Sequence, residues 1–224
     1  MLYSDLGAPG EGLRERKKRA TRAAIAGTAR RLFAERGFDD VTVAEIAAAA
    51  DVSEKTVFNH FATKEDLAFA GGEARLSQLL ADIAQRPAGT AVLDVFRATT
   101  DAMIDGLATT TEDDDFFVVP RIIRGSRVLQ ERLTMGWEHE FAALTAVIAE
   151  TAGVDDDDVI PAIVARTLSW THRTIFRVAL SGLLAGEDPQ QLAARLRVAS
   201  ARAYDQIATG LDDYGTSDRA APPA

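Results

Sequence analysis

The stretch Thr42-Val-Ala-Glu45-Ile-Ala-Ala-Ala-Ala-Asp51-Val-Ser53-Glu-Lys55-Thr-Val-Phe58-Asn-His-Phe-Ala-Thr63-Lys64 reads as two very short helices joined by a tight turn, with the start of a third behind them. Thr42 and Glu45 stand three apart, the spacing of a capping box: the hydroxyl takes a free backbone N–H and the carboxylate reaches back. Ile46 and Ala47 supply the buried side of the first helix. The run Ala50-Asp51-Val52 breaks it, and Ser53 is placed to cap a second helix through Phe58. Thr63 and Asp66 repeat the cap-and-acid spacing. Two helices of about two turns around a turn of about four residues match a helix-turn-helix, whose second helix is the one that enters a major groove. The spacing therefore points to duplex DNA.

Outward from this stretch, the chain has 224 residues, 47% apolar and 26% charged, the composition of a globular protein with a substantial core. No apolar run approaches the roughly 18 residues of a membrane span. The basic cluster follows a polar lead, unlike a secretory signal, and there is no cysteine. The cytoplasm is the expected compartment. A net charge of −9 argues against a nucleic-acid ligand until its distribution is read. Between Arg14 and Lys64 stand eleven Lys/Arg and seven Asp/Glu, so this part carries +4 and the remainder −13. A basic end on an acidic body fits an end that meets phosphates and a body kept off them.

Upstream, residues 1–12 are rich in Gly, Pro and polar side chains and are expected to be loose. Arg14-Glu-Arg-Lys17-Lys18-Arg19, followed by Arg22, forms either a flexible arm or the first helical turn. It leads into a helix with Ile25, Ala29, Leu32 and Phe33 on one face. Gly37 is expected to close that helix as a left-handed cap, with Phe38 folded back on its end.

Downstream the pattern is helical throughout. One helix is expected from Lys64 to about Gln85, another over 90–109, a short one over 116–127 interrupted near Pro120, and a long one over 129–152. Glu112 to Asp115 read as a solvated cap rather than a metal site, and Asp155 to Asp158 as the cap of the next helix. The helix over 159–184 is apolar on more than one face, which demands partners on more than one side; a second copy of the chain is the simplest supplier. A final helix over 189–211 carries Leu192, Leu196, Ala199, Ala203, Ile207 and Leu211, and the tail 214–224 is expected to be loose. The fold class is all-α, with about nine helices. Domains are expected at 13–67 (DNA-binding head) and 68–213 (ligand-binding and dimerisation body).

Residues 19–67 resemble the DNA-binding domain of the TetR family of transcriptional regulators. The carrying residues are Ile25, Leu32, Phe33, Gly37-Phe38, Thr42-Val43, Ile46-Ala47, Val52-Ser53, Thr56, Phe58, Phe61 and Lys64-Glu65-Asp66-Leu67. The basic lead and Phe58-x-x-Phe61 are similar to actinobacterial members such as the mycofactocin-type regulators. The resemblance implies a homodimeric repressor, paired through the helices over 159–184 and 189–211 and bound to a palindromic operator until a small molecule enters the body. It places Thr42 at a phosphate and makes Ser53, Glu54, Lys55, Thr56 and Phe58 the recognition helix, with Lys55 and Thr56 nearest base edges. Asn59 and His60 follow toward the DNA backbone, Lys64 pairs with a phosphate, and Arg14, Lys17, Lys18 and Arg19 add affinity independent of sequence. Three positions depart from the usual pattern: Asp51 and Lys55 stand where many members have Gly, and Phe58 where many have Tyr. Without a hydroxyl, Phe58 is expected to pack.

Catalytic and metal chemistry find no pattern. His60, His139 and His172 have no paired-ligand spacing, and there is neither a strained Gly-x-Ser-x-Gly elbow nor a Gly-rich phosphate loop. No enzyme activity, metal or cofactor is expected. Candidate pocket residues in the body are Phe96, Met103, Phe116, Phe117, Trp137, Phe141, Trp170 and Phe176, with His172 or Arg173 as polar anchors, which suits a largely apolar effector. The plainer alternative for each is core packing. The rival reading of the whole chain is a helical ligand-binding or scaffold protein whose head no longer reads DNA.

Overall fold

A computed structural model describes residues 12–111, 114–155 and 157–211. Among them there are ten α-helices and no strand. The expected loose ends, 1–12 and 214–224, lie outside the described residues apart from Gly12, as do Glu112 and Asp113. Contacts group the chain into two compact units, one up to Gly71 together with Phe117–Arg132, the other Gly72–Phe116 together with Leu133 onward. The expected head and body were each continuous. Here each unit draws on two stretches of chain.

The first unit contains α1 (Leu13–Arg36), α2 (Val43–Ala49), α3 (Glu54–His60) and α4 (Lys64–Ala68). Its core takes Ile25, Ala29 and Phe33 from α1, Ile46 and Ala47 from α2, Val57 from α3 and Leu67 from α4. Ile122 and Leu129, from the later segment, complete it. Ser126 Oγ, in that segment, donates to Asp39 Oδ1 over 3.2 Å, and Arg132 Nη2 donates to Asp66 Oδ1 over 3.2 Å. Neither long-range link has a local sequence signal.

Gly37 closes α1 with its N–H on Phe33 O at 2.9 Å, and the Phe33 and Phe38 rings lie 5.0 Å apart. Its dihedrals, φ 90° and ψ 152°, are not those of the expected left-handed cap. They fall in the extended positive-φ region open essentially to glycine alone, which turns the chain away sharply enough for Phe38 to fold back. The single helix expected from Lys64 to Gln85 is two, α4 and α5 (Gly72–Ala84). Phe69 caps the first, and Gly71, at φ 90°, stands immediately before the second. The apolar periodicity runs through this break, so period alone reads it as one helix.

The second unit contains α5, α6 (Val92–Leu107), the greater part of α8 (Arg127–Ala152), α9 (Ile160–Leu184) and α10 (Pro189–Leu211). Between α6 and α8 runs α7 (Asp115–Gly125), divided between the units and holding Pro120 within it. The core of this unit is the meeting of α6, α9 and α10. Phe96, Thr100 and Ile104 on α6 face Leu168 on α9 and Leu192, Leu196, Ser200 and Tyr204 on α10, all buried. The stripe on α10 departs from expectation: Ala199 is exposed and Ala203 half-buried, while polar Ser200 and Tyr204 lie inside. Tyr204 is admitted because Thr100 Oγ1 stands 2.7 Å from its hydroxyl, which also reaches Phe96 O at 3.2 Å. Of the expected acidic cap of α9, Asp158 Oδ1 accepts from Ile160 N–H at 2.8 Å, Val159 holds the N-cap position itself, and Asp156 lies outside the described residues.

Candidate nucleic-acid interface

The interface begins with how α2 and α3 are fixed. Thr42 and Glu45 form the capping box: Glu45 N–H donates to Thr42 Oγ1 at 3.2 Å, and Thr42 N–H donates to Glu45 Oε2 at 2.7 Å. The Thr42 hydroxyl itself donates to the same carboxylate at 2.8 Å. Arg36 Nη1 lies 2.7 Å from Glu45 Oε1, tying the end of α1 to the start of α2. The Thr42 N–H, then the Arg36 guanidinium, hold the Glu45 carboxyl down at about 2. The expected phosphate contact at Thr42 thus has to draw on a hydroxyl whose proton is already given to Glu45.

The turn after α2 has a defined geometry. Val52 N–H bonds Ala47 O at 3.0 Å and Asp51 N–H bonds Ala48 O at 3.3 Å, the two hydrogen bonds of a Schellman ending. Asp51 occupies its left-handed position at φ 54°, the one non-glycine residue with positive φ among those described. The aspartate found where many members have glycine therefore preserves the turn.

Ser53 caps α3, accepting from Thr56 N–H at 3.1 Å, and its hydroxyl lies 2.8 Å from that of Thr56. Val57 is buried and pins the helix inward. Glu54, Lys55, Phe58 and Asn59 are exposed together, as residues at i, i+1, i+4 and i+5 must be. Two expectations change here. Phe58 is 51% exposed, so it does not pack in the head, because the inward position is already held by Val57. Asn59 shares the outward face with Lys55 instead of merely trailing the helix.

The basic cluster is helical. Gly12 O accepts the N–H groups of Glu15 and Arg16, α1 starts at Leu13, and Arg14, Lys17, Lys18 and Arg19 are exposed on its first turns. Of the two alternatives, arm or helix, the chain adopts the second. Arg22, one turn beyond Lys18, was absent from the expected site residues although it continues the spacing of Arg14 and Lys18. Its Nη1 donates to the carbonyl oxygen of His60, and its guanidinium lies 4.1 Å from the centre of the Phe61 ring. A cation thus meets the negative end of α3 and joins the basic face of α1 to that helix. Burial, followed by the charges of Arg22 and Lys18, lowers the pKa of His60. Lys64 places its ammonium 4.3 Å from the centre of the Phe38 ring, half-buried at the start of α4.

Nine of the ten candidate pocket residues lie in the second unit. Phe117 belongs to the unit that holds the head. Phe96 is fully buried between α6 and its neighbours, and Met103 is half-buried. Phe116 and Phe176 pair at 4.7 Å. Trp137 and Trp170 meet edge to face at 5.9 Å, and Arg173 lies 4.8 Å from Trp137 and 5.6 Å from Phe141. Arg173 also pairs with Glu140 at 2.6 Å. His172 Nδ1 is 2.8 Å from Thr100 Oγ1, and burial, then Arg173, pulls its pKa down to about 4. Both expected polar anchors are therefore held by partners within the protein. A groove of about 290 Å³ between α6 and α10 is lined by Arg97, Asp101, Asp105, Arg197 and Ala201, none of them expected. Three of its four charged side chains are paired, Arg197 with Asp105 at 2.6 Å and Arg97 with Asp205 at 2.9 Å. Among the described residues no cluster of acidic or histidine side chains has the form of a metal site, and no helix is long and apolar enough to cross a membrane.

The model of the bacterial regulatory proteins of the tetR family matches residues 25–70, from the middle of α1 to just past α4. The HTH-type transcriptional regulator TcmR of Streptomyces glaucescens is 34% identical over 75% of this chain and 76% of its own length. The chain belongs to the TetR family. Two Mycobacterium tuberculosis proteins add to this. The HTH-type transcriptional repressor Rv1474c is 32% identical over 79% of this chain and 89% of its own, and MftR, a regulator named for mycofactocin biosynthesis, is 26% identical over 91% and 98%. The TetR-family member described here is thus of actinobacterial type. Its fold is also that of SmeT, solved in complex with triclosan, with a TM-score of 0.55 at 20% identity over 92% of this chain and 98% of SmeT.

Proposed function

We propose that this TetR-family DNA-binding regulator is a homodimeric repressor that holds a roughly palindromic operator and releases it when a small, largely apolar molecule enters the second unit. The observation that carries the DNA half of this reading is the outward face of α3, with Lys55, Phe58 and Asn59 exposed over a buried Val57. The basic residues of α1 are joined to it through Arg22. A helix held from behind, open in front and flanked by cations has the form that enters a major groove while neighbouring side chains hold phosphates. In this reading Arg14, Lys17, Lys18, Arg19, Thr42 and Lys64 are the phosphate side, and Ser53 to Asn59 the base side. Dimerisation through α9 and α10 is supported by Ile160, Ile163, Trp170 and Val178, which lie on one stripe of α9 and are 38–52% exposed in the protomer. Effector binding draws on the aromatic content of the second unit and on SmeT, whose complex holds triclosan.

Selection of bound duplexes from random DNA at about physiological salt tests the reading. A recovered palindrome, with affinity that falls steeply as salt rises, is the expected result, because each phosphate contact releases counterions. Failure to enrich any duplex with a folded dimer would overturn it in favour of a helical ligand-binding protein with an inert head.

A further inference from the structure

We propose that Phe58 reads the C5-methyl group of a thymine in each half-site of the operator. The inference rests on α3 being the base-reading helix. Val57 is 1% exposed and fixes which side of this seven-residue helix faces the core, which leaves Phe58 pointing outward, 51% exposed, one turn from Lys55 and beside Asn59. A phenyl ring has no hydrogen bond to give or accept. Neither a phosphate oxygen nor the polar edge of a base rewards its burial. The floor of the major groove carries one apolar group, the thymine methyl, and phenylalanine is among the side chains suited to it. The neighbours divide the remaining work. Lys55 supplies a donor for a guanine edge or a phosphate, and Asn59 supplies both a donor and an acceptor. The Thr56 methyl is a poorer candidate because Thr56 is half-buried and its hydroxyl is turned to Ser53. A tyrosine at position 58 has a hydroxyl for a phosphate. Its loss here moves the residue from positioning to base discrimination.

The test uses the full-length protein and the operator recovered by selection, with each thymine replaced in turn by deoxyuridine, which pairs identically and lacks only the methyl group. One position per half-site is expected to lose about fourfold in affinity, the weight of one buried methyl group. Phe58→Ala is expected to bind more weakly and to be indifferent to uracil at that same position, whereas Phe58→Leu, which keeps an apolar group there, retains the sensitivity. A residue that only stabilised α3 would weaken all sequences alike and leave the uracil effect unchanged. An operator bound specifically but insensitive to uracil throughout would overturn the role of Phe58 and leave the DNA reading standing, as would a sensitivity that survives in Phe58→Ala. No enriched operator at all would overturn both.

Discussion

Asp51 is the residue on which the turn of the DNA-reading motif depends. A side chain at φ 54° costs free energy that glycine does not pay, but aspartate is among the few residues that tolerate this region, and Asp51 is exposed, so packing does not confuse the comparison. Asp51→Ala is expected to lower stability by about 1 kcal/mol, and Asp51→Gly to stay within about 0.5 kcal/mol of the parent, since relief of strain is offset by the greater entropy of glycine in the unfolded chain. Asp51→Gly also removes a negative charge from the DNA-facing end, so it is expected to tighten duplex binding. Denaturant melts and salt-dependent binding check both. Two other residues mark separate windows of acid response. His172 falls to about 4 from 6.5, so below pH 6.5 the unfolded chain takes up a proton that the folded one refuses. Stability contributed there is full above 6.5, erodes as pH falls toward 4 and then levels. Glu45, lowered from 4.5 to about 2, contributes stability above 4.5 that is lost as pH falls through 2. Thermal melts against pH are expected to show the upper slope diminish in His172→Asn, leaving the share of His60, whose pKa is also lowered, and the lower slope diminish in Glu45→Gln.

At the scale of the element, the proposed complex divides the labour of binding between α3 and the start of α4. Lys55 stands on the outward face of α3, whereas the Lys64 ammonium rests on the Phe38 ring at the start of α4. Lys64→Ala is expected to weaken every duplex alike and to reduce the salt slope by about one, and Lys55→Ala to change which bases are preferred. Equal effects on operator and scrambled duplex from both variants would refute the division. Much of this was legible from sequence because it is local. A cap and its acid three residues on, at Thr42–Glu45 and Thr63–Asp66, are short-range facts, and both boxes form. What escaped reading was set elsewhere in the chain or by backbone geometry that side-chain periodicity does not encode. Gly71 divides a helix whose apolar spacing runs on through the break. Tyr204 is buried because Thr100, about a hundred residues earlier, meets the phenol. Phe58 looked like a packing residue by type, and only the placement of Val57 shows that the inward position was already taken.

At the scale of the whole molecule, the open question is how α9 is covered. One side of α9 is spent on its own unit, with Val164, Leu168 and Ile175 buried against α6 and α10. The other carries Ile160, Ile163, Trp170 and Val178 at helical spacing, two of them more than 45% exposed. In the proposed dimer this stripe meets its own copy about a twofold axis, so each residue is buried twice per assembly and a single substitution acts twice. Ile163→Asp, at the 52% exposed position, puts a carboxylate into that contact while disturbing little within the protomer. It is expected to sediment as a monomer with unchanged helix content, and its melting temperature should no longer rise with protein concentration, since the mass-action coupling is gone. Operator binding should fall by about 10²- to 10⁴-fold, because the second half-site is then no longer reached within one tethered pair. The same variant should keep the weak, salt-sensitive affinity of a single head, because nothing in α1 or α3 has changed. A variant that remains dimeric and binds as tightly as the parent would show that the copies meet through another surface, and would leave the apolar stripe of α9 to a different partner.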